Sequence, residues 1–214
     1  MQYTRENPSP RYLELQKYYR DMHIHGEPER GRPPEQTFDG RSLNPHVSAI
    51  TGLLRSHKSR SLTDYGCGKA MGYESVELVQ PDGTKIKGLR ELWSGIDITL
   101  YDPGNPKYDA YPSRATDAVI CTDVMEHIPE TDVPWLLGEL FRLSRQFVFV
   151  SIACYPAAKL LPDGTNAHVT QKSPGWWLDL MQSISKQYDS RTYFSVIYES
   201  AKRQVVLSSV PVIR

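Results

Sequence analysis

Residues 61–72 read Ser61-Leu62-Thr63-Asp64-Tyr65-Gly66-Cys67-Gly68-Lys69-Ala70-Met71-Gly72. SLTDY has the length and texture of a short buried strand, and three glycines crowd the seven residues that follow it. Glycine permits positive φ and removes the side chain that blocks a close backbone approach. A glycine turn at the carboxyl end of a strand is where open α/β sheets bind ligands. Asp64 is the only charge in the stretch before Lys69.

Outward from this loop, strand and helix signals alternate. Short apolar runs at 96–102 (IDITLYD), 117–123 (DAVICTD) and 146–153 (QFVFVSIA) read as strands covered on both faces. Between the last two, Trp135, Leu136, Leu140 and Phe141 mark the inner side of a helix. A further helix runs from Ser173 to about Lys186 with Trp177, Leu180, Met181 and Ile184 inward. TYFSVIYE and QVVLSSVPV close the chain as two strands joined by a polar turn, which implies one antiparallel member in a mostly parallel sheet.

Residues 1–45 differ. Ser9-Pro10 is a helix start, Tyr12, Leu15, Tyr19 and Met22 recur at helical spacing, and Gly26 ends the pattern. A polar loop rich in proline and charge follows, and a second helix begins at Asn44-Pro45 with Val47, Ile50 and Leu54 on one face. One short amphipathic helix makes no core of its own, so residues 1–45 read as a helical cap or lid on a domain spanning 46–214.

Composition narrows the function classes. The 25 basic and 25 acidic residues balance, so no general basic field favours nucleic acid. The start lacks the apolar core of a signal peptide, and no apolar run approaches a membrane span. Cys67, Cys121 and Cys154 are odd in number and lie in or beside strands, which points to reduced thiols and a cytoplasmic address. There is no CxxC pair, and His23 and His25 lack an acidic or thiol partner at ligand spacing, so no metal is expected.

Three nucleotide-type ligands compete for the loop. A P-loop needs GxxxxGK[ST], but Ala70 follows Lys69 and the spacing from Gly66 is wrong. A dinucleotide fingerprint, GxGxxG, needs glycine where Met71 stands, and Glu91 sits in a helical-looking segment rather than at a strand end.

The third candidate rests on motifs in order. Asp64-Tyr65-Gly66-Cys67-Gly68, Leu100-Tyr101-Asp102 and Asp123-Val124-Met125-Glu126-His127-Ile128 resemble the class I S-adenosylmethionine (SAM) methyltransferases of the DxGCGxG/DVxEHI branch, over residues 47–214. The resemblance implies a doubly wound, mostly parallel seven-strand Rossmann-like sheet. It also implies methyl transfer from SAM, with S-adenosylhomocysteine as product, to an oxygen or nitrogen of a small-molecule or saccharide acceptor. It assigns Asp64, Gly66, Cys67, Gly68, Asp102, Asp123 and Val124 to the cofactor. SAM has no phosphate, so close backbone approach suits it, and Asp102 is an acceptor-only group for ribose hydroxyls. The glycines then make room for the methionine and ribose parts.

This chain departs from the pattern in three places. Ala70 replaces the family's third glycine, residues 73–95 make a long crossing that reads as a hairpin insertion, and 103–116 offers no convincing third strand. Asp109 is the only acidic candidate there for an adenine contact. These departures motivate an alternative, a non-catalytic methyltransferase-fold binding module. His168, in a polar loop before the tryptophan-bearing helix, is the candidate base for an acceptor hydroxyl, a loop hydrogen bond being the plainer alternative. Asn166 shares either role. Glu126 and His127 read as loop-orienting residues, Tyr19, His23, Phe38 and Arg41 as lid residues, and Trp176 and Trp177 as acceptor-pocket candidates, Trp177 being core first.

Overall fold

A computed structural model describes residues 3–74, 77–79, 83, 85–189, 192–200 and 203–208. Eight strands are present among them: β1 (Ser61–Tyr65), β2 (Glu77–Val79), β3 (Lys85–Lys87), β4 (Asp97–Tyr101), β5 (Thr116–Thr122), β6 (Ser144–Ala153), β7 (Thr192–Ser200) and β8 (Arg203–Ser208). The α-helices are α1 (Pro10–His25), α2 (Val47–Ser56), α3 (Gly88–Leu92), α4 (Val133–Leu143) and α5 (Pro174–Ser185).

The main sheet has the order β4-β1-β5-β6-β7-β8. Its first five strands are parallel, and β8 runs antiparallel to β7. The period-2 alternation of buried side chains feeds two cores. Leu62, Ala118, Ile120, Phe147 and Phe149 face Ile50 and Leu54 of α2 and Leu89 of α3. Val119, Cys121, Val148, Val150 and Ile152 face α4 and α5, where Leu136, Leu140, Trp177 and Met181 pack. Helices on both faces of a parallel sheet define a Rossmann-like α/β architecture. The chain reverses its direction of winding at β1, which pairs with both β4 and β5, so the crevice at the carboxyl ends of these strands is the topological switch point.

The expected count of seven strands is corrected to six in this sheet among the described residues. Residues 103–115 form turns, and Pro103, Pro106 and Pro112 deny that segment ladder donors. The side chain of Asn105 instead donates to the Gly68 carbonyl at 2.7 Å, which uses this segment to brace the glycine loop. The 73–95 crossing contains the antiparallel pair β2–β3 followed by α3. Pro81 and Asp82 of its turn lie outside the described residues, as do Ala201 and Lys202 of the polar turn before β8.

Helix α1 starts as its caps dictate. The Ser9 hydroxyl accepts from the Tyr12 amide at 3.1 Å, Pro10 needs no donor there, and Gly26 ends the helix at φ 74°. The helix is tied down at its start by the Ser9 amide, which donates to Asp132 Oδ1 at 2.9 Å. Tyr12 enters the core beside Leu136 and Leu140, while Leu15 and Met22 pack on Leu161 and Ala167. Among the described residues no helix is long and apolar enough to cross a membrane.

Candidate active site

A cavity of about 560 Å³ opens at the switch point, floored by the glycine loop and roofed by α1. Its floor is held by Asp102, the residue after β4. The Gly68 amide donates to Asp102 Oδ2 at 2.9 Å and the Gly104 amide to Oδ1 at 2.9 Å. The Gly66 amide donates to the Tyr101 carbonyl at 2.7 Å. Burial raises the Asp102 carboxyl's pKa, while the amides of Gly104, Gly68 and Asn105 pull it down. Each oxygen keeps a second acceptor site, and the side chain lies on the cavity wall.

The glycines serve a purpose that the sequence does not reveal. A Cβ on Gly68, at φ 59°, would lie 2.3 Å from the Phe38 carbonyl oxygen, and one on Gly66, at φ 85°, 2.4 Å from Val124 Cγ2. Their side-chain space is therefore filled by the protein itself, not kept for a ligand. The Lys69 amide donates to the Phe38 carbonyl at 2.7 Å and the Met71 amide to the Asp39 carbonyl at 3.2 Å. Residues 38–40 thus form a strap across the loop, and only the backbone of Gly66 and Gly68 faces the cavity.

Asp64 and Cys67 sit behind the loop, off the cavity wall. Asp64 is buried and accepts a hydrogen bond from the Tyr73 hydroxyl at 2.8 Å. Burial pushes its pKa up to about 7, against the pull of that hydrogen bond. Cys67 is buried in the tight turn, and burial raises its thiol pKa further from reactivity.

The opposite wall comes from the end of β5 and the loop after β6. Asp123 is exposed to the cavity with φ 60°, a left-handed conformation that Asp tolerates better than most residues. Val124, His127 and His168 stand beside it on the same wall. His127 Nδ1 lies 2.8 Å from the Ala167 carbonyl and 2.9 Å from the Tyr19 hydroxyl. His168 Nδ1 lies 2.5 Å from the Tyr155 carbonyl. A carbonyl only accepts, so each ring carries its proton on Nδ1 and leaves Nε2 as the lone-pair nitrogen. Burial lowers the His127 pKa to about 4, so the ring is neutral near pH 7. Glu126 is fully buried behind this wall, and its Oε1 accepts from the Ala153 amide at 2.6 Å.

The predicted lid residues Tyr19, His23, Phe38 and Arg41 all line the cavity. His23 is buried, 3.9 Å from Asp102, and burial lowers its pKa to about 4. His25 points outward. Trp176 and Trp177 are absent from the wall: Trp177 is in the core against α4, and Trp176 packs edge-on against it. Asp109 is also away from the cavity, in a surface pair with Arg20 at 3.1 Å. The Asn166 side chain bonds both backbone groups of Ala157, and its Oδ1 also accepts from the His168 amide at 3.0 Å, which fixes the loop that carries His168. The four-residue spacing of His127 from Asp123 is visible in the sequence, whereas the approach of His168 to His127 is not.

Fold and cavity together define a Rossmann-like α/β protein with an open cavity at its switch point. In sequence the chain is 22% identical over 191 aligned positions to a ubiquinone biosynthesis O-methyltransferase from Xanthomonas axonopodis pv. citri, covering 78% of this chain and 79% of the relative. No family model matches the chain. The similarity supports methyl transfer as the general class of activity.

Proposed function

We propose that the chain is a SAM-dependent methyltransferase acting on an oxygen, or alternatively a nitrogen, of a small-molecule or saccharide acceptor in the cytoplasm. Residues 1–45 serve it as a lid on the catalytic domain, 46–214. The observation that carries the reading is Asp102, a carboxylate after β4 that anchors the glycine loop and still faces the cavity. The O-methyltransferase activity that the relative's name carries and the three free thiols support the same reading.

SAM fits the residues present. The cavity lies within the usual range for cofactor sites, its floor is side-chain-free backbone at Gly66 and Gly68, and Asp102 has acceptor capacity left for two hydroxyls. When bound, the cofactor supplies a methyl group already made electrophilic by its sulfonium. Asp102 holds the ribose, while Asp123 and Val124 flank the cofactor from β5. Asp64 and Cys67 contribute by setting the loop from behind. His168 Nε2 takes the acceptor's proton as the methyl group is transferred, beneath a roof formed by Tyr12, Leu15, Gln16, Tyr19 and His23 of α1.

Calorimetric titration with SAM, S-adenosylhomocysteine and, as control, NAD tests this. Binding of the first two alone supports the reading, and binding of NAD alone overturns it. Ala70 in the glycine loop and the turns at 103–115 in place of a third strand support the alternative, a non-catalytic binding module. SAM binding with turnover of any acceptor excludes that alternative.

A further inference from the structure

We propose that Asp123, His127 and His168 form a site for one first-row divalent cation on the acceptor side of the cavity. One ligand atom from each residue lies within 4.8 Å of the others. Around a metal with ligands at about 2.1 Å, neighbouring tetrahedral ligand atoms stand roughly 3.4 Å apart, so closure needs side-chain adjustments of about an ångström. The rings of His127 and His168 are edge-to-face with centroids 4.8 Å apart.

Three further features fit a metal better than a loop-orienting role. First, both imidazoles are fixed through Nδ1 on backbone carbonyls, the outer-shell arrangement that presents Nε2 to a metal. Second, among the described residues Asp123 makes no salt bridge, although it stands at the end of a strand in a left-handed conformation. Third, Glu126 is completely buried, next to His127 in sequence; among the described residues its Oε2 meets no donor, while its carboxyl interacts with that of Asp123. Two carboxyls crowded on one wall repel each other, and a cation bound there offsets that repulsion.

Two imidazoles and one carboxylate with cavity-facing open positions suit Zn²⁺, Mn²⁺, Fe²⁺ or Co²⁺ better than Mg²⁺ or Ca²⁺, which prefer oxygen. The site itself does not depend on the proposed reaction, but its role does. A hydroxyl bound at an open position is acidified and loses its proton to solvent water. The resulting oxygen pair forms the new bond to the methyl carbon, and the carbon–sulfur pair leaves with sulfur. In that state His168 is a ligand, and proton capture by its Nε2 belongs only to the metal-free protein.

The test uses the full chain, stripped with chelator, dialysed, checked for folding by circular dichroism and titrated with Zn²⁺ and with Co²⁺ in the absence of SAM. One equivalent is expected to bind, with affinity lowered more than about 10-fold in Asp123→Asn and in His168→Ala. Asp123 is exposed, so Asp123→Asn serves as the folded variant if His168→Ala proves unstable. No binding to the folded wild type, or unchanged affinity in Asp123→Asn, overturns the proposal. SAM titration of the same samples separates the two readings: metal binding without SAM binding removes the methyltransferase reading and keeps the site, and the converse removes the site alone.

Discussion

The Gly68 amide donates to Asp102 Oδ2 at 2.9 Å, joining the loop after β1 to the end of β4 across the floor of the cavity. Because Gly104 uses the other oxygen at 2.9 Å, one carboxylate fixes two loops and still faces the ligand space. Hydrogen bonds to a charged partner contribute about 1.5–3 kcal/mol each. Asp102→Ala is therefore expected to weaken SAM binding by about 100-fold or more and to lower the melting temperature by several degrees. Asp102→Asn keeps an acceptor for one amide and should fall between the two. Calorimetry and thermal melting on the three proteins check this, and full SAM affinity in Asp102→Ala would remove Asp102 from the site.

In the proposed reading His168 acts on the acceptor side, so its loss should separate binding from transfer. His168→Ala is expected to keep SAM affinity within about threefold while slowing transfer by roughly 10²–10⁴, the usual range for an activating group at the reacting oxygen. Single-turnover rates with saturating SAM make the measurement. Equal loss of SAM affinity in His168→Ala and Asp102→Ala would contradict this division of labour.

The sheet was legible because its strands carry their own signals. Runs such as Phe147–Ile152, apolar on both faces, admit only a covered strand, and β1, β5 and β6 fall within two residues of the expected ends. The Ser9-Pro10 start and Gly26 stop of α1 are local chemistry and were equally readable. What the sequence hid is contact at a distance. Nothing in GCGKA says that Phe38, about thirty residues earlier, fills the space over Gly68. Nothing in DVMEH says that a loop forty residues on brings His168 against His127. The two tryptophans differ: Trp177 packs in the core as its helical spacing implies, while Trp176 lies edge-on against it and not on the cavity wall.

The strap makes the two loop glycines unequal. At Gly68 an added Cβ meets a backbone carbonyl at 2.3 Å, which cannot turn aside, and at Gly66 it meets the far end of the Val124 side chain at 2.4 Å. Both positions also have positive φ, which penalises any L side chain by about 1 kcal/mol or more. Gly68→Ala is expected to release residues 38–40 and speed proteolysis between 27 and 40. Gly66→Ala should be partly rescued by Val124→Ala, and Gly68→Ala should not. Limited proteolysis of the wild type, the two glycine variants and each combined with Val124→Ala decides it, and identical cleavage in Gly68→Ala and wild type would mean that the strap does not depend on that glycine.

Asp64 gives a pH dependence whose sign follows from its burial. Its carboxyl titrates at about 7 in the folded protein, raised from 3.8 chiefly by burial. Between those values the folded state holds a proton that the unfolded chain has released. Stability from this group is therefore full below about pH 4 and is lost as pH rises through 7. Ionising so buried a carboxyl costs up to about 4 kcal/mol. Asp64→Asn has no charge to bury, and its amide oxygen still accepts from the Tyr73 hydroxyl. The variant should match wild type near pH 4 and exceed it increasingly up to about pH 7, by several degrees in melting temperature, with SAM affinity within about threefold because Asp64 lies off the cavity wall. Thermal melts of both proteins at about pH 4.5, 6 and 8 give the comparison. A difference between the two proteins that stays constant with pH would show that Asp64 is ionised in the folded state, its charge met by a partner other than Tyr73.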